Sequence, residues 1–176
     1  MTVAVALREA TARLTETSDT ARLDAELLMA HALGVSRSDM LLRHMSDDAP
    51  AGFASLVDRR VHREPIAYIL GDAEFYGRRF IVTPDVLIPR GDSECVVEAA
   101  LAVAPDSGRA LDMGTGSGAL LITLLAERPS LAGVGIDASL GAIAVAAANA
   151  GRLGLQERAH VLHANWHEPG WSDELG

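Results

Sequence analysis

Apolar residues in the first sixty positions recur at three- and four-residue spacing, which predicts helices. Val3, Leu7 and Leu14 fall near one face of a helix over residues 3–17. Leu23, Leu27, Leu28 and Ala30 mark a second over Arg22–Leu33, with Asp19 or Thr20 as cap and Gly34 as stop. Ser36 caps a short third helix through His44, and Pro50 opens a fourth that carries Phe53, Leu56, Val57 and Val61 on one face. These spacings predict a small helical bundle over residues 1–64. Arg59, Arg60 and Arg63 read as a solvated face of it.

At Pro65 the period changes. Ile66 to Val82 alternates and carries β-branched and aromatic residues around Gly77-Arg78, the pattern of a β-hairpin linking two domains over residues 65–84. Asp92 or Ser93 caps a helix to Val103, and Pro105 to Gly108 leads into an apolar run that rises to Asp112. Gly114, Gly116 and Gly118 follow, then Leu120, Leu121, Leu124 and Leu125 at helical spacing. Strand, tight turn and helix in this order are the first unit of an α/β nucleotide-binding domain, here residues 85–176. Ala132 to Asp137 is a second buried strand. Ser139 caps an alanine-rich helix to about Leu153, ended by Gly154. Ala159 to His163 is a third strand, and Trp166 to Gly176 is loop. Three β–α steps are half of a doubly wound sheet. An open strand edge is a hazard, so about 100 further residues are expected by ordinary domain size.

Composition narrows the classes. Hydrophobic residues make up 49% of the chain, enough for a sizeable core, and a net charge of −9 argues against binding naked nucleic acid. Cys95 is the one cysteine, which excludes an internal disulfide and points to a reducing compartment; it reads as an inert packed thiol. No signal-like segment opens the chain and no apolar run reaches the roughly 18 residues of a membrane span. A soluble, cytoplasmic protein without membrane association is the expectation.

The chemistry lies in the glycine loop. Gly114-Thr115-Gly116-Ser117-Gly118-Ala119 satisfies a relaxed dinucleotide pattern. Asp137 stands about 20 residues on, at the end of the second strand, where a carboxylate takes ribose hydroxyls in NAD and S-adenosylmethionine sites alike. Asp112 stands two residues before the first glycine. A carboxylate there repels a pyrophosphate and suits the ammonium of a methionine moiety; its other reading is a residue bonding the turn amides. The pair favours S-adenosylmethionine over a dinucleotide. Trp166, after the third strand, offers either a stacking surface for adenine or a seal on the sheet's end. His160 and His163 alternate to opposite faces and, with His167, lack the partners of a metal site.

Four motifs resemble the protein-(glutamine-N5) methyltransferases that modify peptide chain release factors. They are Arg63-Glu-Pro-Ile-Ala-Tyr-Ile-Leu-Gly, Glu74-Phe-Tyr-Gly, Val86-Leu-Ile-Pro-Arg and Leu111-Asp-Met-Gly-Thr-Gly-Ser-Gly-Ala. The resemblance covers essentially the whole chain. It implies an α/β class I methyltransferase (Rossmann-like) sheet, C-terminally incomplete, preceded by a helical substrate-recognition domain and a linking hairpin. It implies S-adenosyl-L-methionine as cofactor, held by Gly114, Thr115, Gly116, Ser117, Gly118, Asp137 and Trp166, with Leu87 to Arg90 over its reactive end. Gly91 and Ser93 stand where the family has proline and threonine, and Asn165 where it has aspartate. The family's Asn-Pro-Pro-Tyr motif occurs nowhere in the sequence, so no catalytic residue is named and the 176 residues are expected to be inactive alone. A sister group methylates a ribosomal protein. An NAD-dependent oxidoreductase and a non-enzymatic binding fragment are the other readings.

Overall fold

The structure is a computed structural model, and it describes residues 1–173; the last three residues of the expected closing loop lie outside the described residues. The chain divides into two compact units, Met1–Leu70 and Gly71–Gly176.

The first unit is helical. It comprises α1 (Val3–Leu14), α2 (Ala21–Leu33), α3 (Arg37–Arg43), α4 (Phe53–Val61) and α5 (Ile66–Leu70). The expected α1 stops three residues early: Leu14 C=O accepts from Thr17 N–H and Ser18 N–H, and the chain turns there. Gly34 ends α2 in the left-handed region at φ 70°, and the Ser36 hydroxyl accepts from Asp39 N–H to cap α3. Thr20 precedes α2 without capping it; its hydroxyl donates to Asp24 instead. Val3, Leu7, Leu14, Leu28, Met29, Met40, Phe53 and Val57 form the core.

Two expectations for this unit are corrected. Residues 66–70 are a helical turn, not a strand. Pro65 C=O accepts from Tyr68 N–H and Ile69 N–H, and Ile66, Ile69 and Leu70 pack on the helical core at a spacing of three and four. The unit therefore runs through the first part of the expected 65–84 linker. Arg60 is not part of a solvated face either: its Nε donates to the buried carboxylate of Asp24 at 2.7 Å. Arg59 pairs with Glu64 at the surface, as a solvated residue does.

The second unit opens with a hairpin, β1 (Asp72–Phe75) and β2 (Arg78–Ile81). Tyr76 and Gly77 turn it with φ of 50° and 70°, the two-residue turn whose twist matches paired strands. After α6 (Glu94–Val103) come β3 (Gly108–Met113), α7 (Ala119–Glu127), β4 (Leu131–Asp137), α8 (Leu140–Arg152) and β5 (Ala159–His163). The three strands are parallel in the order β3-β4-β5. Neither Asp92 nor Ser93 caps α6 with its side chain; Gly91–Ser93 is a 3-10 turn leading into it. β4 is buried between its neighbours, whereas β3 is an edge strand with no further strand beside it among the described residues, and Leu111 and Met113 are each 46% exposed. Cys95 is exposed on α6, so the packed thiol is corrected; its thiol donates to Asp92 C=O. Among the described residues no helix is long and apolar enough to cross a membrane.

Candidate cofactor site

The turn after β3 is closed by its own backbone. Gly114 N–H and Thr115 N–H both donate to Ile136 C=O, at 2.8 and 2.9 Å, which pulls the turn onto the end of β4. Gly118 N–H returns to Thr115 C=O at 2.8 Å and starts α7. This path needs φ of 80°, 55° and 79° at residues 114, 116 and 118, values that side-chain-bearing residues avoid. That is the physical demand behind the three alternate glycines.

Thr115 locks the turn from below. It is buried, and its hydroxyl donates to Asp112 Oδ2 at 2.8 Å. Asp112 thus bonds the turn, though through a hydroxyl rather than an amide. Thr115 fits because β4 carries glycine beneath it: a Cβ on Gly135 would lie 2.8 Å from Thr115 Oγ1 and 3.0 Å from its Cβ. Gly133, on the same strand face, leaves equal room for Leu121 of α7. In the sequence, the one signal of this close approach is a glycine, Gly135, inside an apolar strand. Gly135→Ala is expected to cost about 1–3 kcal/mol through displacement of Thr115, read as a lower midpoint in a urea melt.

The acids stand close to the turn. Asp137 Oδ2 accepts from Gly116 N–H and Oδ1 from Ser139 N–H, each at 2.9 Å. Each oxygen keeps a lone pair for a further donor. Burial pushes the Asp112 carboxyl above its ordinary 3.8, against the bonds from Thr115 and the Leu121 backbone, and the charge of Asp137 pushes it the same way. A second negative charge is therefore unwelcome here, and a ligand that brings hydroxyls and positive charge fits.

A cleft of about 450 Å³ faces the turn. Leu87, Ile88, Pro89 and Arg90 form one wall and Gly114 to Ser117 another, and Phe75, Asp92, Ser93, Ala119 and Leu120 complete the lining. Of the expected site residues, Gly114, Thr115, Gly116 and Ser117 line it. Gly118 serves the packing of α7, for a Cβ there would meet Ile122 Cδ1 at 2.7 Å. Asp137 reaches the turn through Gly116. Trp166 lies against the turn: a methyl on Gly114 would sit 3.4 Å from its Cη2, and the residue is 39% exposed. The three histidines stay apart from the cleft lining, and no group of three or more metal-binding side chains gathers among the described residues.

Known proteins resemble both units. Residues 5–71 match the PrmC N-terminal domain family, and residues 93–174 the methyltransferase small domain family. The release factor glutamine methyltransferase of Cereibacter sphaeroides is 42% identical over 171 residues, covering 94% of this chain and 60% of that protein. Its namesake from Nitratidesulfovibrio vulgaris is 42% identical over 165 residues, 91% of this chain and 56% of its own length. That of Escherichia coli is 38% identical over 164 residues, 91% and 58%. The chain thus spans between 56% and 60% of the length of these relatives. Among solved structures, a SAM-dependent methyltransferase from Geobacter sulfurreducens in complex with S-adenosyl-L-homocysteine aligns at 33% identity and a TM-score of 0.37, over 43% of this chain and 29% of its own.

Proposed function

Because the chain belongs, over the length it shares with them, to the family of the release factor glutamine methyltransferases, we propose that its second unit binds S-adenosyl-L-methionine in the cleft at the glycine turn. We propose further that the whole enzyme methylates a glutamine side-chain nitrogen of a peptide chain release factor. The observation that carries the cofactor assignment is the pair of acids, Asp112 and Asp137, bonded into a glycine turn that opens on a cleft. Asp137 takes the ribose hydroxyls with the lone pairs its backbone donors leave free. Asp112 stands where the ammonium of the methionine moiety arrives, and Trp166 borders the adenine. Leu87 to Arg90 shield the reactive end from water. Bound there, the cofactor supplies a methyl group on a sulfonium.

An amide nitrogen is a weak nucleophile, since its lone pair is shared with the carbonyl. Transfer therefore needs acceptors that hold its N–H groups in line with the methyl. The Asn-Pro-Pro-Tyr motif that the family uses for this is absent from the 176 residues. The reading is that the present residues bind cofactor and do not turn over, in a protein that works in the cytoplasm on a protein substrate recognised by the helical unit, without direct contact to nucleic acid or membrane.

The test is transfer of labelled methyl from S-adenosylmethionine to a release factor. One reaction uses the chain as it stands, and the other uses it extended by the remaining segment of the Cereibacter relative. Glutamine methylation only in the extended protein is expected; none in either sinks the release factor reading, and methylation of a ribosomal protein instead would move the substrate. Binding has its own optical signal. With Trp171 replaced by phenylalanine, Trp166 is the one indole left, and S-adenosylhomocysteine is expected to change its fluorescence saturably; an unaltered spectrum at saturation places the ligand elsewhere.

A further inference from the structure

Helix α8 buries Ala142, Val145, Ala146, Asn149 and Ala150 along one face, and one member of that apolar stripe is polar. Asn149 is 0% exposed. Among the described residues its side chain makes three hydrogen bonds, all with backbone groups. Oδ1 accepts from Ile81 N–H at 2.6 Å, while Nδ2 donates to Ile81 C=O at 3.0 Å and to Ser117 C=O at 2.9 Å. The two bonds to Ile81 are those a neighbouring strand would make, so the side chain completes the edge of β2. The third reaches the glycine turn.

Ser117 lines the cleft, and Ile81, at the end of β2, leads the chain into its other wall. From Ile81 the chain runs through Thr83 to Asp85 into Leu87–Arg90, and Ser117 lies in the opposite wall. The same segment touches α8 once more: a Cβ on Gly141 would lie 2.6 Å from Asp85 Cγ, so glycine there admits the approach. An amide is the group that can do this, since it offers one acceptor and two donors in one plane. Aspartate lacks the donors and alanine lacks both.

We propose that Asn149 is a positioning residue for the cofactor, setting the separation of the Leu87–Arg90 wall from the glycine turn by holding Ile81 and Ser117 on one amide. This rests on the reading that the cleft binds S-adenosylmethionine. A purely structural plug would hold the fold together and leave affinity alone.

The experiment titrates S-adenosylhomocysteine calorimetrically into the 176-residue chain and into Asn149→Ala, Asn149→Asp and Leu125→Ala, below the melting range of each. Leu125 is fully buried in α7 and lies outside the cleft lining. Both Asn149 variants are expected to raise Kd about tenfold or more, a loss of about 1.4 kcal/mol in binding. Leu125→Ala should lower Tm and leave Kd alone. Equal affinity in the folded Asn149 variants, or an equal loss in Leu125→Ala, overturns the proposal.

Amide exchange supplies a readout without ligand. In Asn149→Ala, Ile81 and Val86 to Ile88 should exchange faster while Phe80, inside the hairpin ladder, does not; unchanged exchange at residues 86–88 overturns it. Should neither Asn149 variant fold, the unsubstituted chain decides: ligand is expected to slow exchange at Ile81 about tenfold, and no slowing refutes the coupling. Failure of the unsubstituted chain to bind counts against the cofactor reading, and the ligand-free exchange then judges this one.

Discussion

Asp24→Ala is expected to remove about 3 kcal/mol from the helical unit, as breaking a buried ion pair does. Asp24 is 4% exposed and takes hydrogen bonds from Ser18, Thr20 and Arg60, whose side chain is itself only 18% exposed. Alanine leaves the guanidinium without its counter-ion and two hydroxyls without their acceptor. A unit of this size holds roughly 4–10 kcal/mol in all, so the loss takes much of it. A urea melt of the chain followed by helical circular dichroism measures this; a midpoint unchanged by the substitution would show that the cluster is ornamental. Asp24→Asn keeps an acceptor and should fall between the two.

The same cluster sets a pH dependence. Burial alone would raise the Asp24 carboxyl, but the bonds from Ser18, Arg60 and Thr20 outweigh it and hold the group below its ordinary 3.8. Glu26, buried beside Arg22 and Arg37, is likewise held below 4.5 despite its burial. A carboxyl whose folded value is depressed adds stability that is complete above the unfolded value and is lost as pH falls through the folded one. The contribution is therefore full above about pH 4.5 and declines as pH falls further, Glu26's share from about 4.5 and Asp24's from about 3.8. In Asp24→Ala the decline should be shallower.

Gly116→Val is expected to weaken cofactor binding by at least about 100-fold, or 2.7 kcal/mol. Residue 116 has φ 55° and lines the cleft, with nothing within 4 Å of where a Cβ would stand. A β-branched residue is strained at that angle by about 1–3 kcal/mol, and its methyls would occupy space the ligand needs. The melt should drop by no more than that strain, about 1–3 kcal/mol, while in the folded protein the calorimetric signal vanishes. Unchanged affinity would move the ligand off the glycine turn.

Much of this was legible because local chemistry and tertiary packing agree. Gly34, Ser36, Gly154 and the three turn glycines each stand where the backbone needs them; apolar spacing finds α2 and α4, and the caps Ser36 and Ser139 mark α3 and α8. Ile66 to Leu70 misled because five apolar residues satisfy either period, and burial against the helical core decided for a turn of helix. Arg60 misled because a charge on a helix face carries no mark of a buried partner 36 residues away. Asn149 was invisible within an alanine run, since its partners at Ile81 and Ser117 are 68 and 32 residues distant. In the site, the order of acid, glycines and acid was readable; the contacts of Thr115 with Gly135 and Trp166 with Gly114 required the fold.

The measurement closest to the central claim is a calorimetric titration of the 176-residue chain with S-adenosyl-L-homocysteine and, separately, with NADH. Saturable binding of the first at one site, with no heat from the second, is the predicted result. Binding of NADH instead would show that Asp112 and Asp137 tolerate a pyrophosphate beside the turn, and the cofactor assignment would be contradicted.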